Sequence, residues 1–159
     1  YELRCKHEEI RYVKKDLITK NLDLADKWKI FISKSNGGAG LLTDSGKVSI
    51  IGKPYLAKPH SVCTDSLIPI GNFSTKYEAE ALVSYLRTKF LRYMVGILKT
   101  SQNILQNVYM FVPLQDFTPN SDINWTKSIE KIDKQLYHKY GLDNKEIQII
   151  EKKIKCLEM

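Results

Sequence analysis

An α+β fold with strands early and helices late is predicted by three observations. Apolar runs rich in β-branched and aromatic residues, Trp28-Lys29-Ile30-Phe31-Ile32 above all, fall in the first half. From Thr75 onward, apolar residues instead recur every three or four positions. Two capping-box patterns, Thr75 with Glu78 and Asp143 with Glu146, and a glycine stop at Gly141 punctuate that helical half. With 159 residues, 43% of them hydrophobic, the chain suffices for one domain with a real core. The expectation is a β-rich N-terminal half, a long amphipathic helix packed on the sheet and a helical C-terminal tail. Residues 1–119 form the α+β core in this reading, and 120–159 its helical extension.

Each element has a local reason. Ile10-Arg11-Tyr12-Val13-Lys14 alternates and suits an edge strand, whereas Leu17 to Lys27, rich in Leu, Asn and Asp, suits a short helix or turn. The Trp28–Ile32 strand leads to Asn36-Gly37-Gly38, where glycine permits positive φ. A hairpin follows, with Leu41-Leu42-Thr43 and Val48-Ser49-Ile50-Ile51 flanking Asp44-Ser45-Gly46. Pro54 and Pro59 mark a loop around Lys53 and Lys58, and Ser61 to Ile70 returns as a strand. Thr75 opens the long helix. Ala79, Leu82, Val83, Leu86, Phe90, Tyr93, Met94 and Ile97 share its buried face, and at roughly 100° per residue Tyr85, Thr88, Arg92 and Lys99 project from the exposed side. Beyond Pro113, Asp116 and Pro119 lie in a turn. A helix from Trp125 to Tyr140 then turns Ile129, Ile132, Leu136 and Tyr140 inward, and Asp143 caps a last helix.

Lys and Arg number 25 against 18 Asp and Glu, a formal charge of +7 that favours an anionic partner. Cys5, Cys63 and Cys156 are odd in number and far apart, which reads as free thiols in a reducing, cytoplasmic setting. No run is long and apolar enough to span a bilayer. The start, Tyr1-Glu2-Leu3-Arg4, has neither an initiating methionine nor a signal-peptide pattern, so the chain reads as part of a longer polypeptide.

Several constellations carry possible chemistry. Asn36-Gly37-Gly38-Ala39-Gly40 lacks the Gly-Lys-Ser/Thr of a nucleotide loop. It reads either as a glycine-rich hairpin entry or as a loop thin enough to enter a groove, its amides near phosphate with Lys34 alongside. Cys5-x-His7 and His60-x-x-Cys63 offer zinc-type ligands at spacings that fit no common zinc module, so Cys63 is expected in the core and no metal is assigned. Glu151-x-Lys153 is the one nuclease-like fragment, placed on a terminal helix and read as a solvated face. Tyr55, Tyr85 and Tyr109 can stack on bases, with Tyr85 favoured by its place on the outer helix face.

The segment from Thr75 to Asp116 gathers Arg92 and Lys99 with the amide-rich Ser101-Gln102-Asn103-Ile104-Leu105-Gln106-Asn107. Lys and Arg hold phosphate whatever the sequence. Asn and Gln pair bidentately with adenine, and Arg or Lys with guanine, so one surface can supply affinity and readout. A solvated helix face and a polar loop is the plainer alternative.

The same stretch, with Lys34-Ser35-Asn36-Gly37-Gly38-Ala39-Gly40, Ser61-Val62-Cys63-Thr64, Lys89-Phe90-Leu91-Arg92 and the tail Asp122-Ile123-Asn124-Trp125 through Leu136-Tyr137-His138-Lys139-Tyr140-Gly141-Leu142, resembles a known family. That family is the C-terminal target-recognition region of bacterial adenine-specific DNA methyltransferases of type II restriction-modification systems, itself similar to type I specificity subunits. The resemblance covers most of the chain. It implies duplex DNA as partner, contacts from Lys34, Lys53, Lys58, Arg92 and Lys99 to phosphate or guanine, base-edge contacts from Asn36, Gln102, Asn103 and Gln106, and close backbone approach at Gly37 and Gly38. It also implies an upstream methyltransferase domain of the same polypeptide that uses S-adenosylmethionine, with cleavage of DNA as a possible second activity of the parent. The Asn-Pro-Pro-aromatic motif and the glycine-rich cofactor strand of that family are not in these residues, and Lys53-Pro54-Tyr55 does not replace them. This fragment therefore reads as non-catalytic and without a cofactor of its own. Two other classes stay open: a self-contained nuclease domain, and a protein-interaction module docking through the helices from Trp125 to Met159.

Overall fold

Trp28–Ser33 forms strand β3, and its central residues are buried on both faces. The computed structural model describes residues 1–5, 9–35, 49–99, 106–155 and 157, with Gln106 in backbone only. Side chains alternate along a strand, so Ile30 and Ile32 meet the helices while Lys29 and Phe31 turn the other way. Antiparallel neighbours flank β3: β4 (Tyr55–Ala57) on one edge and β6 (Leu67–Phe73) on the other. Lys34 N–H bonds the Ser66 carbonyl at 3.0 Å, which sets the phase of the β3–β6 ladder. Pro69, opposite Phe31, then falls at a non-bonded position. Its missing N–H faces the outer edge, where proline is tolerated and blocks further strand pairing. Register shifts between Ile30↔Ile70 and Trp28↔Phe73, so Gly71 and Asn72 oppose Lys29 alone in a β-bulge, with Gly71 at φ +88°.

A second three-stranded sheet joins β1 (Glu2–Arg4) antiparallel to β2 (Ile10–Tyr12) and parallel to β5 (Ser61–Cys63). The edge strand expected near Ile10 is β2. The turn region before β3 contains a 3₁₀ turn, Lys15–Leu17, and the one-turn helix α1, Leu22–Ala25. Three expectations are corrected. The segment between Pro54 and Pro59 is strand β4 rather than a loop, because Tyr55, Leu56 and Ala57 pair with Phe31, Ile30 and Lys29. Ser61 to Ile70 is two strands in two sheets, separated by a turn in which Leu67 N–H returns to the Thr64 carbonyl. Ile50 and Ile51, expected in a hairpin strand, are wholly buried core residues outside any strand. The rest of that hairpin, residues 36–48, lies outside the described residues.

The long helix is in fact two, α2 (Lys76–Arg87) and α3 (Lys89–Leu98). The capping box at Thr75 and Glu78 forms as the sequence predicts. Thr88, at φ −63° and ψ 147°, leaves the helical region and becomes the N-cap of α3. Its hydroxyl accepts from Leu91 N–H, and the Asp133 carboxylate accepts from Lys89 and Phe90 N–H at 3.0 Å each. The first turn of α3 is thereby satisfied by a residue from another helix. A non-helical residue also resets the rotational phase. Tyr85, Thr88, Arg92 and Lys99, expected outside, are all buried, and Ile97, expected inside, is 60% exposed. On α2 both sides are covered: Leu82 and Leu86 join the core against β3 and β6, while Tyr85 packs edge-on to Trp125 at 5.6 Å.

The tail supplies α4 (Ile129–Lys139) and α5 (Asn144–Lys153). Helix α4 ends as predicted at Gly141, φ +64°, where Gly141 and Leu142 N–H bond the His138 and Tyr137 carbonyls in a Schellman motif. Asp143 and Glu146 form the second capping box. Ile123, Trp125, Ile132, Leu136, Ile150 and Ile154 belong to the same buried cluster as Ile30 and Leu86. Tyr140, expected inward, is partly exposed but stacks on Phe90 at 5.0 Å.

Buried Asp133 has a consequence for pH. Desolvation raises its carboxyl to about 6 against the bonds from Phe90 and Lys89. The folded chain then holds a proton that the unfolded chain releases near pH ~3.9. This contribution is complete below that value and lost as pH rises through about 6, a fall of up to about 3 kcal/mol. Urea denaturation from pH 4 to 7 is expected to show this slope and to lose it in Asp133→Asn; equal slopes in both proteins sink the assignment.

Candidate nucleic-acid interface

On the face of β3 away from the helices, both sheets and the residue 17–25 turn line a cleft of about 670 Å3. Alternation sends Lys29 into it beside Phe31. Lys29 is 1% exposed, and its Nζ donates to the carbonyls of Lys27 (2.9 Å), Ala25 (3.2 Å) and Lys58 (3.3 Å). Burial lowers its ammonium to about 8, so it remains charged at neutral pH. Burial also pushes the Cys63 thiol up to about 11, which keeps it protonated. Neither group is a ready nucleophile in that state.

Lys34 follows β3 directly and lines the same cleft, as does exposed Lys20. The Lys34 side chain is 42% exposed and pairs with fully exposed Asp65 at 2.5 Å. Lys34, assisted by Lys20, holds the Asp65 carboxyl below its ordinary value. Thr19, Asn21 and Thr64 add hydroxyl and amide groups to the lining. Such a concave set of cations and polar groups suits an oxyanion held by charge and hydrogen bonds.

The other sequence-predicted residues scatter. Lys58 is exposed and pairs with Glu2 at 3.2 Å, while its carbonyl receives Lys29. Lys53 is exposed beside buried Pro54. Asn36, Gly37, Gly38, Gln102 and Asn103 lie outside the described residues, as does the Gln106 side chain. Arg92 and Lys99 are corrected. Arg92 is 0% exposed and its Nη1 donates to the Lys155 carbonyl at 2.5 Å, while Lys99 Nζ donates to the Ile50 carbonyl at 2.8 Å. Both hold chain segments together inside the fold. Tyr85, expected to stack on bases, is buried with its hydroxyl on the Pro113 carbonyl at 2.8 Å. Tyr55 lies beneath the Arg4 guanidinium at 5.1 Å.

Comparison of the chain with protein-family models, curated proteins and solved structures found no match.

The zinc-type residues do not converge on one point in the described chain. His60, at φ +60°, is exposed and its Nδ1 pairs with Asp26 at 2.9 Å, whereas Cys63 bonds back to the Leu67 carbonyl at 3.8 Å. His7 lies outside the described residues. Glu151 does not sit on a purely solvated face: it pairs with Lys89 and accepts from the Tyr137 hydroxyl at 3.1 Å. Lys20 and Lys29 escaped the sequence reading. The signal for Lys29 was available, since a lysine between Trp28 and Ile30 on the Phe31 side of a buried strand requires internal partners.

Proposed function

We propose that this chain is a target-recognition domain that reads a short duplex DNA sequence for an adenine-specific modification enzyme of a restriction-modification system. The observation that carries the reading is the end of β3. There Lys34, one residue past the strand, lines a cleft that also holds Lys20 and Lys29, and the glycine-rich residues 36–40 follow it in the sequence. A cationic anchor adjoining a sequence able to approach closely fits phosphate holding next to base reading.

In this reading Lys20, Lys34, Lys53 and Lys58 hold phosphate. Asn36, Gln102, Asn103 and Gln106 read base edges, with Gly37 and Gly38 admitting the backbone to the groove. Buried Arg92 and Lys99 support the fold instead of touching DNA. Methylation belongs to an upstream domain that uses S-adenosylmethionine on an adenine flipped from the stack, whose extrusion is helped by firm holding of the flanking duplex. A cytoplasmic setting suits this task and the free thiols of Cys5 and Cys63.

Fluorescence titration of the chain with duplex DNA at two salt concentrations tests the proposal. Binding is expected at low salt, with a steep log-log dependence that Lys20→Ala, Lys34→Ala and Lys58→Ala each reduce by about one unit. Asp65→Asn frees Lys34 from its surface partner and is expected to strengthen binding by roughly two- to fivefold. Absence of binding at low salt, or slopes untouched by Lys20→Ala and Lys34→Ala, removes this cleft from the DNA surface.

A further inference from the structure

We infer that a second groove, along the outer side of β6, binds a protein segment carrying an apolar anchor flanked by basic residues. It measures about 680 Å3 and lies between β6 and residues 109–117, floored by Leu82, Leu86 and Leu91 and walled by Phe73, Val112 and Phe117. Its wall is built in advance. The Pro113 carbonyl is pinned by the Tyr85 hydroxyl at 2.8 Å and by Gln115 Nε2 at 3.0 Å, and Gln115 in turn bonds Tyr140 and Lys139.

Two observations specify the occupant. Leu114, 91% exposed, lines the groove, and Met110 and Phe111 stand exposed on the same segment; exposed apolar side chains clustered in this way mark protein contact. The charge is the reverse of the DNA cleft. Among the described residues the lining holds Glu78 and Asp116 and neither lysine nor arginine, in a chain whose net charge is +7. A bond from Thr118 N–H lowers the Asp116 carboxyl below its ordinary value. Nucleic acid is thus disfavoured here and a basic flank is favoured. Pro69 removes a donor from the outer edge of β6, so the mode is an inserted side chain rather than an added strand.

Three fluorescein-labelled peptides test the inference against the whole chain by anisotropy: a Leu-Phe-Leu centre with lysine flanks, the same centre with glutamate flanks, and a Ser-Ser-Ser centre with lysine flanks. The first alone is expected to bind. Leu114→Asp, at an exposed position, is expected to weaken it roughly tenfold. Asp116→Asn is expected to narrow the gap between lysine and glutamate flanks. The inference is overturned if no peptide binds, if the glutamate-flanked or serine peptide binds as well as the first, or if binding ignores Leu114→Asp. Sedimentation showing a dimer that Leu114→Asp dissociates also overturns it, in favour of a second copy of the chain. DNA titration of the same variants separates this groove from the cationic cleft, since Leu114→Asp should leave the salt slope unchanged.

Discussion

Arg92→Ala is expected to cost about 3–5 kcal/mol of stability while leaving the salt dependence of DNA binding by the folded fraction unchanged. The side chain is fully enclosed within α3, and its guanidinium reaches the Lys155 carbonyl beyond α5. Alanine would leave a cavity the size of that side chain and an acceptor without its donor. Both terms add. Arg92→Met fills most of the volume and should lose less. Urea denaturation of both variants, followed by duplex titration of each under folding conditions, separates the two roles. A variant of unchanged stability with a shallower salt slope returns Arg92 to the DNA surface.

Gly71→Ala is expected to cost about 2–4 kcal/mol, from backbone strain and overpacking acting together. At φ +88° an L-residue is already strained, and a Cβ at this position would overlap the Phe73 ring, with Cδ2 only 2.9 Å away. The ring itself cannot withdraw freely, since it packs edge-on to Phe117 at 5.8 Å. Gly141→Ala is the informative contrast. It shares a positive φ of 64°, yet a Cβ there meets nothing within 4 Å, so only the conformational part of the cost applies. Thermal melts of the two variants should differ clearly. Equal losses show that Phe73 moves aside and that the bulge tolerates a side chain.

Local signals and tertiary outcomes divided cleanly along the chain. Both capping boxes and the Gly141 stop were legible because each is written within four or five residues and is satisfied by its own backbone. Strand β3 was legible too, from large β-branched and aromatic residues interrupted only by Lys29, although its burial on both faces was not. Strand β4 was not, since three residues between prolines have no periodicity of their own and acquire strand geometry only by pairing with β3. The facing of Arg92 and Lys99 failed for a sharper reason. A helical wheel drawn across Thr88 assumes a continuous helix, and the residue that interrupts it is stabilised by Asp133, more than forty positions away. Thr88 itself was the readable hint, as a strong N-cap type between two good helical runs. For the proposed DNA surface the loss was symmetrical: the cations that periodicity promoted are internal, and Lys20, which no pattern singled out, lines the cleft.

The parallel pairing of β1 with β5 bears on the order of events during synthesis. Glu2 lies opposite Ser61, so β1, once synthesised, meets its parallel neighbour only after residues 5–60 have followed it. Until then β1 has β2 alone for company, and a lone hairpin is marginal in water. Closing so long a loop is entropically slow, and its return comes only when the β4–β3–β6 sheet is ready to receive the first. The nascent chain therefore carries an open strand edge through most of the translation of its N-terminal half, which makes this stage, rather than the helical tail, its point of greatest exposure to misassembly.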